Sequence, residues 1–375
     1  MKDRCGILPT LIFTAFIGAF FILNLAMPDR DFSQQENRAL QQLPKLTAAS
    51  VFSGGYMKDY EKYAADQFAF RDTWMPLKAR TELLSGKREN NGVYYGEGET
   101  LVKRFEEPDA QKLSVKVDAI NAFASKADVP VYFGLIPGAS DIWSAKLPRN
   151  APNASQKAVI DECYSRCSAK CVDLYSALSA RSGEYVYYRT DHHWTSLGAY
   201  YGYQALSGVM DFTAADVSSY DRKTVSADFC GTNWSSSGFT WVRPDSIETF
   251  VDSDGITAES YLKGTNSAPT SVGLYDTEYL AKKDKYSMFL GGVTPLLHIT
   301  TQQSSAPSLL IIRDSYADSL APFLTANYSN IYLVDLRYFR QSVSDFVKEH
   351  DIDSVLILYS VSNFSTDDNI VTLGA

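Results

Sequence analysis

The stretch Thr190-Asp191-His192-His193-Trp194-Thr195 holds half of the four histidines in this chain, adjacent to one another and just after an acid. A carboxylate that fixes the tautomer of an imidazole, beside an imidazole that can take a hydroxyl proton, is the equipment of nucleophilic acyl transfer. Asp191 and His193 are two residues apart, so on an extended segment both side chains lie on the same side. His192 then faces elsewhere, into packing or hydrogen bonding, and replaces His193 as the base if the two assignments are exchanged. The flanks suit such a task. Val186-Tyr187-Tyr188 reads as a short strand. Leu197, Ala199, Tyr200, Tyr203, Ala205 and Leu206 fall at helical spacings up to Met210, with Thr195 or Ser196 as the N-cap. The acid and the histidines therefore occupy a strand-to-helix turn, where sheet-based enzymes hold acid and base groups. A solvated turn with helix-capping histidines would use the same residues.

A hydroxyl for this pair comes much later in the chain. Leu309 to Ile312 is a continuous apolar run suited to a buried parallel strand, and it ends in Arg313-Asp314-Ser315-Tyr316 where a helix begins. A serine at that junction exposes its hydroxyl at the carboxyl edge of the sheet. Its backbone N–H and that of its neighbour point out of a helix N-terminus, which favours negative charge. A plain N-cap is the other use of Ser315. The last strand, Asp353 to Tyr359, runs into Ser360-Val361-Ser362-Asn363. An asparagine there can aim its amide at a developing oxyanion, a contribution of about 2.7–4 kcal/mol, or simply form a turn.

The elements that must carry these residues form an α/β pattern from about residue 109. A helix over Ala110–Lys126 precedes a strand over Val129–Ile136. A helix over Ala154–Ser168 precedes a strand over 171–175. After the Asp191 turn and its helix, residues 212–290 become rich in Ser, Thr, Asp and Gly and read as a β-rich insertion that shapes a substrate groove. Strands at 308–312, 331–334 and 354–358 then alternate with helices ending at Leu324 and Glu349. This predicts a doubly wound, mostly parallel sheet over 109–375. Residues 28–108 read as a linker followed by an N-terminal cap, helical over 51–90 and hairpin-like over 93–102.

Composition sets the compartment and excludes some partners. The chain has 375 residues, 45% hydrophobic, with a net charge of −9 and no basic run, so nucleic acid is not an expected partner. Its 24 tyrosines and 20 phenylalanines suit sugar-binding surfaces and sheet cores alike. Lys2 and Arg4 precede an uncharged stretch from Ile7 to Met27, long enough to cross a bilayer. We read residues 1–6 as a cytoplasmic tail and 7–27 as a transmembrane signal-anchor, with a cleaved signal peptide as the alternative. Either places the body beyond Pro28 in an extracytoplasmic space. Cys163, Cys167, Cys171 and Cys230 lie in that body, and a disulfide among the first three is expected, its pairing open. No histidine stands close to them in sequence, so zinc is not the expected use.

Together the segments resemble the SGNH hydrolase superfamily and, more closely, the DHHW family, which is related to periplasmic proteins that acetylate alginate. The resemblance is carried by Phe68-Ala69-Phe70-Arg71-Asp72, Tyr188 to Thr195, Phe229-Cys230-Gly231-Thr232, Arg313-Asp314-Ser315-Tyr316, Asp335-Leu336-Arg337-Tyr338-Phe339 and Tyr359 to Phe364. It implies a circularly permuted SGNH-like fold with Asp191 as the orienting acid, His193 as the base, Ser315 as the nucleophile and Asn363 in the oxyanion site. Arg337, Trp194, Tyr316 and His192 are expected on the oxyanion or substrate side. The implied activity is that of an O-acetyltransferase or acetyl-esterase acting on a cell-surface polysaccharide. No metal or cofactor is implied, and a multi-pass membrane acyltransferase is the implied partner. Arg313 stands where these enzymes carry glycine, and Asp335-Leu336-Arg337 replaces a glycine block. A non-catalytic carbohydrate-binding or envelope assembly protein with the same fold is the alternative.

Overall fold

A computed structural model describes residues 4–265 and 268–374. Residues up to Asn90, with 235–240, make one compact unit. It starts with helix α1 (Arg4–Ala26), whose stretch Ile7–Ala26 is 20 residues long and has none of its length buried. Pro9 falls near its start, where few intrahelical bonds are lost. Two amphipathic helices follow, α2 (Gly55–Asp66) and α3 (Arg71–Leu84). The polar stretch after Pro28 is held by charge. Arg30 meets Asp72 at 2.6 Å, Arg38 meets Asp66 at 2.5 Å, and Glu36 meets Arg71 at 2.5 Å.

The second unit comprises residues 91–234 and 241–375. A hairpin of β1 (Val93–Tyr95) and β2 (Leu101–Lys103) leads to α4 (Ala110–Lys126), whose N-cap Asp109 accepts from Gln111 and Lys112 N–H. Then come β3 (Val131–Ile136), α5 (Gln156–Arg166), β4 (Lys170–Val172) and α6 (Ser196–Ser207). The segment after α6 gives an antiparallel pair, β5 (Lys223–Phe229) and β6 (Asp245–Thr249), then β7 (Thr257–Thr265) and β8 (Thr270–Ser271). The chain finishes with β9 (Leu296–Thr300), β10 (Ser308–Arg313), α7 (Ala317–Leu324), β11 (Asn330–Val334), α8 (Val343–Glu349), β12 (Ser354–Ser360) and α9 (Val361–Thr366).

Eight of these strands form one sheet in the order β8-β7-β9-β11-β10-β12-β3-β4. From β11 to β4 the pairing is parallel, with Leu310 opposite both Tyr332 and Val355. The fold is thus the doubly wound, mostly parallel α/β arrangement that the sequence pattern predicts. The period of two along β10 serves both faces. Leu309 and Ile311 pack with Tyr200 and Tyr203 of α6 and Leu320 of α7, while Leu310 and Ile312 pack with Val117, Ile120 and Phe123 of α4. Full burial of each such aliphatic chain is worth about 1.5–3 kcal/mol, and burial on both faces is why β10 reads as an unbroken apolar run.

The structure corrects several expectations. The β-rich segment does more than insert: β7 and β8 extend the main sheet through β9, joined antiparallel. β9 has no apolar run to announce it, since His298 and Thr300 interrupt it. Val186–Tyr188 contributes only an isolated bridge, Tyr187 to Trp194. The expected disulfide is absent, with Cys163, Cys167, Cys171 and Cys230 as free thiols. Cys163 points into the core under α5, where burial pushes its thiol up to about 12, and the Cys171 thiol lies 3.6 Å from the Ala169 carbonyl.

Candidate active site

Ser315 sits in the turn between β10 and α7, and buried hydrogen bonds tie the residues beside it. Asp314 Oδ1 accepts the Tyr316 N–H at 3.0 Å. Asp314 Oδ2 accepts the Ser360 N–H at 2.8 Å, the Ser360 hydroxyl at 2.7 Å and Asn363 Nδ2 at 2.9 Å. One carboxylate thereby links the ends of β10 and β12 to α9. The Trp194 indole N–H reaches the Tyr316 carbonyl and Ser319 Oγ, both at 3.0 Å, and Tyr286 Oη donates to the Ser315 carbonyl at 3.0 Å. The turn cannot drift without breaking several buried hydrogen bonds, each worth about 0.5–1.5 kcal/mol net. The Tyr316 N–H, one of the two donors expected to face outward, is occupied by Asp314.

The acid and the histidines hang on a narrow turn closed by Tyr188 N–H to the His193 carbonyl at 3.2 Å and Thr195 N–H to the Val186 carbonyl at 3.0 Å. Thr195 then caps α6 by accepting the Gly198 N–H at 3.2 Å. Asp191 Oδ1 accepts the His193 N–H at 2.9 Å and pairs with His193 Nδ1 at 2.6 Å. Asp191 Oδ2 accepts the Thr232 N–H at 2.7 Å and its hydroxyl at 3.0 Å. Burial alone would raise the Asp191 carboxyl. The two imidazoles beside it, the His193 bond and the Thr232 N–H outweigh burial and hold it well below the usual carboxylate range. Gly231 is required here, because a Cβ would lie 2.2 Å from Asp191 Oδ2. On the far side of the imidazole, His193 Nε2 lies 2.7 Å from Ser315 Oγ.

Carboxylate, imidazole and hydroxyl therefore stand in one hydrogen-bonded line, drawn from segments 122 residues apart. A model of the family described as DHHW protein matches residues 113–334, more than half of the chain and all three of these residues. The chain belongs to the DHHW family. Its structure resembles the crystal structure of a DHHW family protein from Eubacterium siraeum, with a TM-score of 0.67 and 25% identity over 76% of this chain and 95% of that one. It also resembles Bacillus cereus PatB1 bearing a sulfonyl adduct, with a TM-score of 0.62 and 18% identity over 74% of this chain and 97% of that one. A search of curated proteins found no match.

In this DHHW protein the remaining expected residues fall into different roles. His192 does not meet Ser315; its Nδ1 lies 2.7 Å from Thr232 Oγ1, and its ring stands 3.9 Å from that of His193. Burial, with His193 alongside, pushes its pKa down. Donor atoms of Asp191, His192 and His193 lie within 4.8 Å of one another, so these three are the residues placed to gather round a cation, although both Asp191 oxygens already accept hydrogen bonds. Trp194, expected on the substrate side, is fully buried and instead fixes the Ser315 turn. Tyr316 is likewise buried, its hydroxyl donating to the His192 carbonyl. Asn363 and Arg337 line a crevice of about 410 Å³ beside Asp314, with Tyr359, Thr366 and Asp367. Asn363 spends one amide N–H on Asp314. Arg337 is clamped by its own Asp335, with Nε to Oδ1 at 2.9 Å and Nη2 to Oδ2 at 2.6 Å, so its charge is committed there.

Two contributors had no role assigned from sequence. Tyr286 stacks on His193 with centroids 3.7 Å apart and planes 8° from parallel, and its hydroxyl also meets Ser319 Oγ at 3.0 Å. Thr232 holds the outer oxygen of Asp191. The pair Gly231-Thr232 is part of the resemblance and so was visible as a landmark. Tyr286 lies in a short 3-10 turn without periodicity, and nothing local marks it. Arg313, where glycine was expected, is fully buried and pairs with buried Asp318 at 3.1 Å.

Proposed function

We propose that this DHHW protein is a membrane-anchored, extracytoplasmic acyl-transfer enzyme, an O-acetyltransferase or acetyl-esterase acting on a cell-surface polysaccharide through Ser315, His193 and Asp191. The observation that carries this reading is the unbroken line from Asp191 Oδ1 through His193 to Ser315 Oγ, with spacings of 2.6 and 2.7 Å. Asp191 holds Nδ1 protonated and leaves Nε2 free to accept. Ser315 Oγ attacks the acyl carbonyl as its proton passes to Nε2. The resulting oxyanion is held by the Ser315 N–H and by the second N–H of Asn363 Nδ2. His193 returns the proton to the leaving alcohol, and an acyl-serine remains. A sugar hydroxyl or water then gives its proton to Nε2 and takes the acyl group, restoring Ser315. The α1 helix supports attachment to the membrane, and a multi-pass acyltransferase that delivers acyl groups is the proposed partner.

PatB1 accepted a sulfonyl group, which suggests the probe. Full-length protein treated with an arylsulfonyl fluoride should gain one sulfonyl group on the Ser315 peptide by mass spectrometry, and His193→Ala should slow that labelling about a hundredfold or more. Equal labelling of both proteins, or labelling spread over surface hydroxyls, would remove Ser315 as an activated nucleophile.

A further inference from the structure

Helix α3 displays apolar side chains that the described residues leave largely exposed. Phe70 at its N-cap, then Trp74, Leu77 and Leu84, recur at steps of four, three and seven residues and so share one face. They are 52%, 36%, 49% and 89% exposed. α1 runs along one edge of this stripe. The Phe20 ring stacks on Phe68 at 5.6 Å and approaches Trp74 at 5.7 Å, and the Asn24 side-chain carbonyl accepts the Ala69 N–H at 2.7 Å.

These contacts set a depth. At 1.5 Å per residue, the 20 residues Ile7–Ala26 span about 30 Å, the thickness of a hydrocarbon core, so none can be withdrawn from it. By the same rise Phe20 lies about 9 Å inside the outer end of the span and Asn24 about 3 Å inside it. The residues that touch them must share that level. The ionic cluster of Arg30, Asp72, Glu36 and Arg71 then falls where headgroups begin. Aromatic residues at such a boundary are favoured, because one end of the ring is apolar and the other wet.

We propose that the start of α3, from Phe68 through Leu77, is seated in the outer leaflet of the bilayer, with lipid acyl chains covering the stripe. This rests on reading residues 7–27 as a membrane anchor. Trp74 is the one tryptophan of this unit, and Trp74→Phe separates its signal from that of Trp143, Trp194, Trp234 and Trp241.

Full-length protein would be reconstituted into phosphatidylcholine vesicles brominated near the headgroup end of the acyl chains. Bromolipid should quench a component of the tryptophan emission, and Trp74→Phe should abolish that component. Phe70→Asp with Leu77→Asp should reduce it at least severalfold. Identical quenching of wild type and Trp74→Phe, in protein that still resists alkaline carbonate extraction, would overturn the seating and leave the anchor standing. Shielding of Trp74 from both bromolipid and aqueous acrylamide would assign the stripe to a protein occupant and overturn it too. Release of the whole chain by carbonate would remove the anchor itself.

Discussion

Replacing Asp191 by asparagine changes one atom and tests the chemistry of the whole line. The carboxylate accepts four hydrogen bonds, from His193 N–H and Nδ1 on one oxygen and from Thr232 N–H and Oγ1 on the other. An asparagine amide supplies one acceptor and one donor in that space. With its NH₂ toward Thr232, it faces a backbone N–H that cannot reverse. With its NH₂ toward His193, the imidazole must present a bare Nδ1 and carry its proton on Nε2, where it cannot accept the Ser315 proton. Both arrangements leave a buried donor facing a donor, at about 1–3 kcal/mol. The second also empties the base position, for which a loss of about 10³–10⁴-fold in kcat is expected, roughly 4–5.5 kcal/mol. The assay is initial-rate hydrolysis of an aryl acetate at neutral pH, with circular dichroism to show that the variant is folded. A folded Asp191→Asn protein that loses less than tenfold would refute the assignment. The depressed pKa of Asp191 adds a stability signature. Its contribution is full above the unfolded carboxyl value of about 4 and is lost as pH falls through the lower folded value. Acid unfolding of Asp191→Asn should therefore be shallower.

Three further expectations follow from the surroundings. Gly231→Ala places a Cβ 2.2 Å from Asp191 Oδ2; calorimetry and the ester assay should show both lowered stability, by about 1–3 kcal/mol, and a displaced acid with at least tenfold lower rate. Tyr286→Phe keeps the ring on His193 and deletes the hydroxyl's contacts with the Ser315 carbonyl and Ser319 Oγ, so a loss of about 1–2 kcal/mol, read as a fewfold fall in kcat and a slightly lower Tm, is expected, and no change in either would show that the hydroxyl is idle. Asp318 is pushed up to about 7 by burial, with Arg313 pulling the other way. The folded state thus retains a proton that the unfolded chain releases near pH 4, so stability falls as pH rises from about 4 to 7; urea titrations across that window should show the slope in wild type and a flatter profile in Asp318→Asn.

Much of this arrangement was readable because its signals are local. The β10 strand is an unbroken apolar run that only a two-sided core requires, and its abrupt end at Arg313-Asp314-Ser315 announces a strand-to-helix junction. Thr195 caps α6 as its type and position suggest. The choice of His193 over His192 was implied by the resemblance, and the turn brings Asp191 and His193 together while His192 meets Thr232. Other contacts depend on chain reversal that no window of residues contains. Tyr286 reaches His193 from a segment that reads as loop. β9, interrupted by His298 and Thr300, is recruited only because β11 offers an edge. Trp194 and Tyr316, expected on the oxyanion or substrate side, are buried, and their polar atoms satisfy backbone carbonyls.

The segment between α6 and β9 supplies Thr232 to the acid and Tyr286 to the imidazole, besides two strands of the sheet. It is therefore not a detachable ornament that could be traded between relatives to alter what they recognise. Any exchange must preserve the Gly231-Thr232 pair, the ring of Tyr286 and the sheet register of β7 and β8, and only the connections between them are free to diversify.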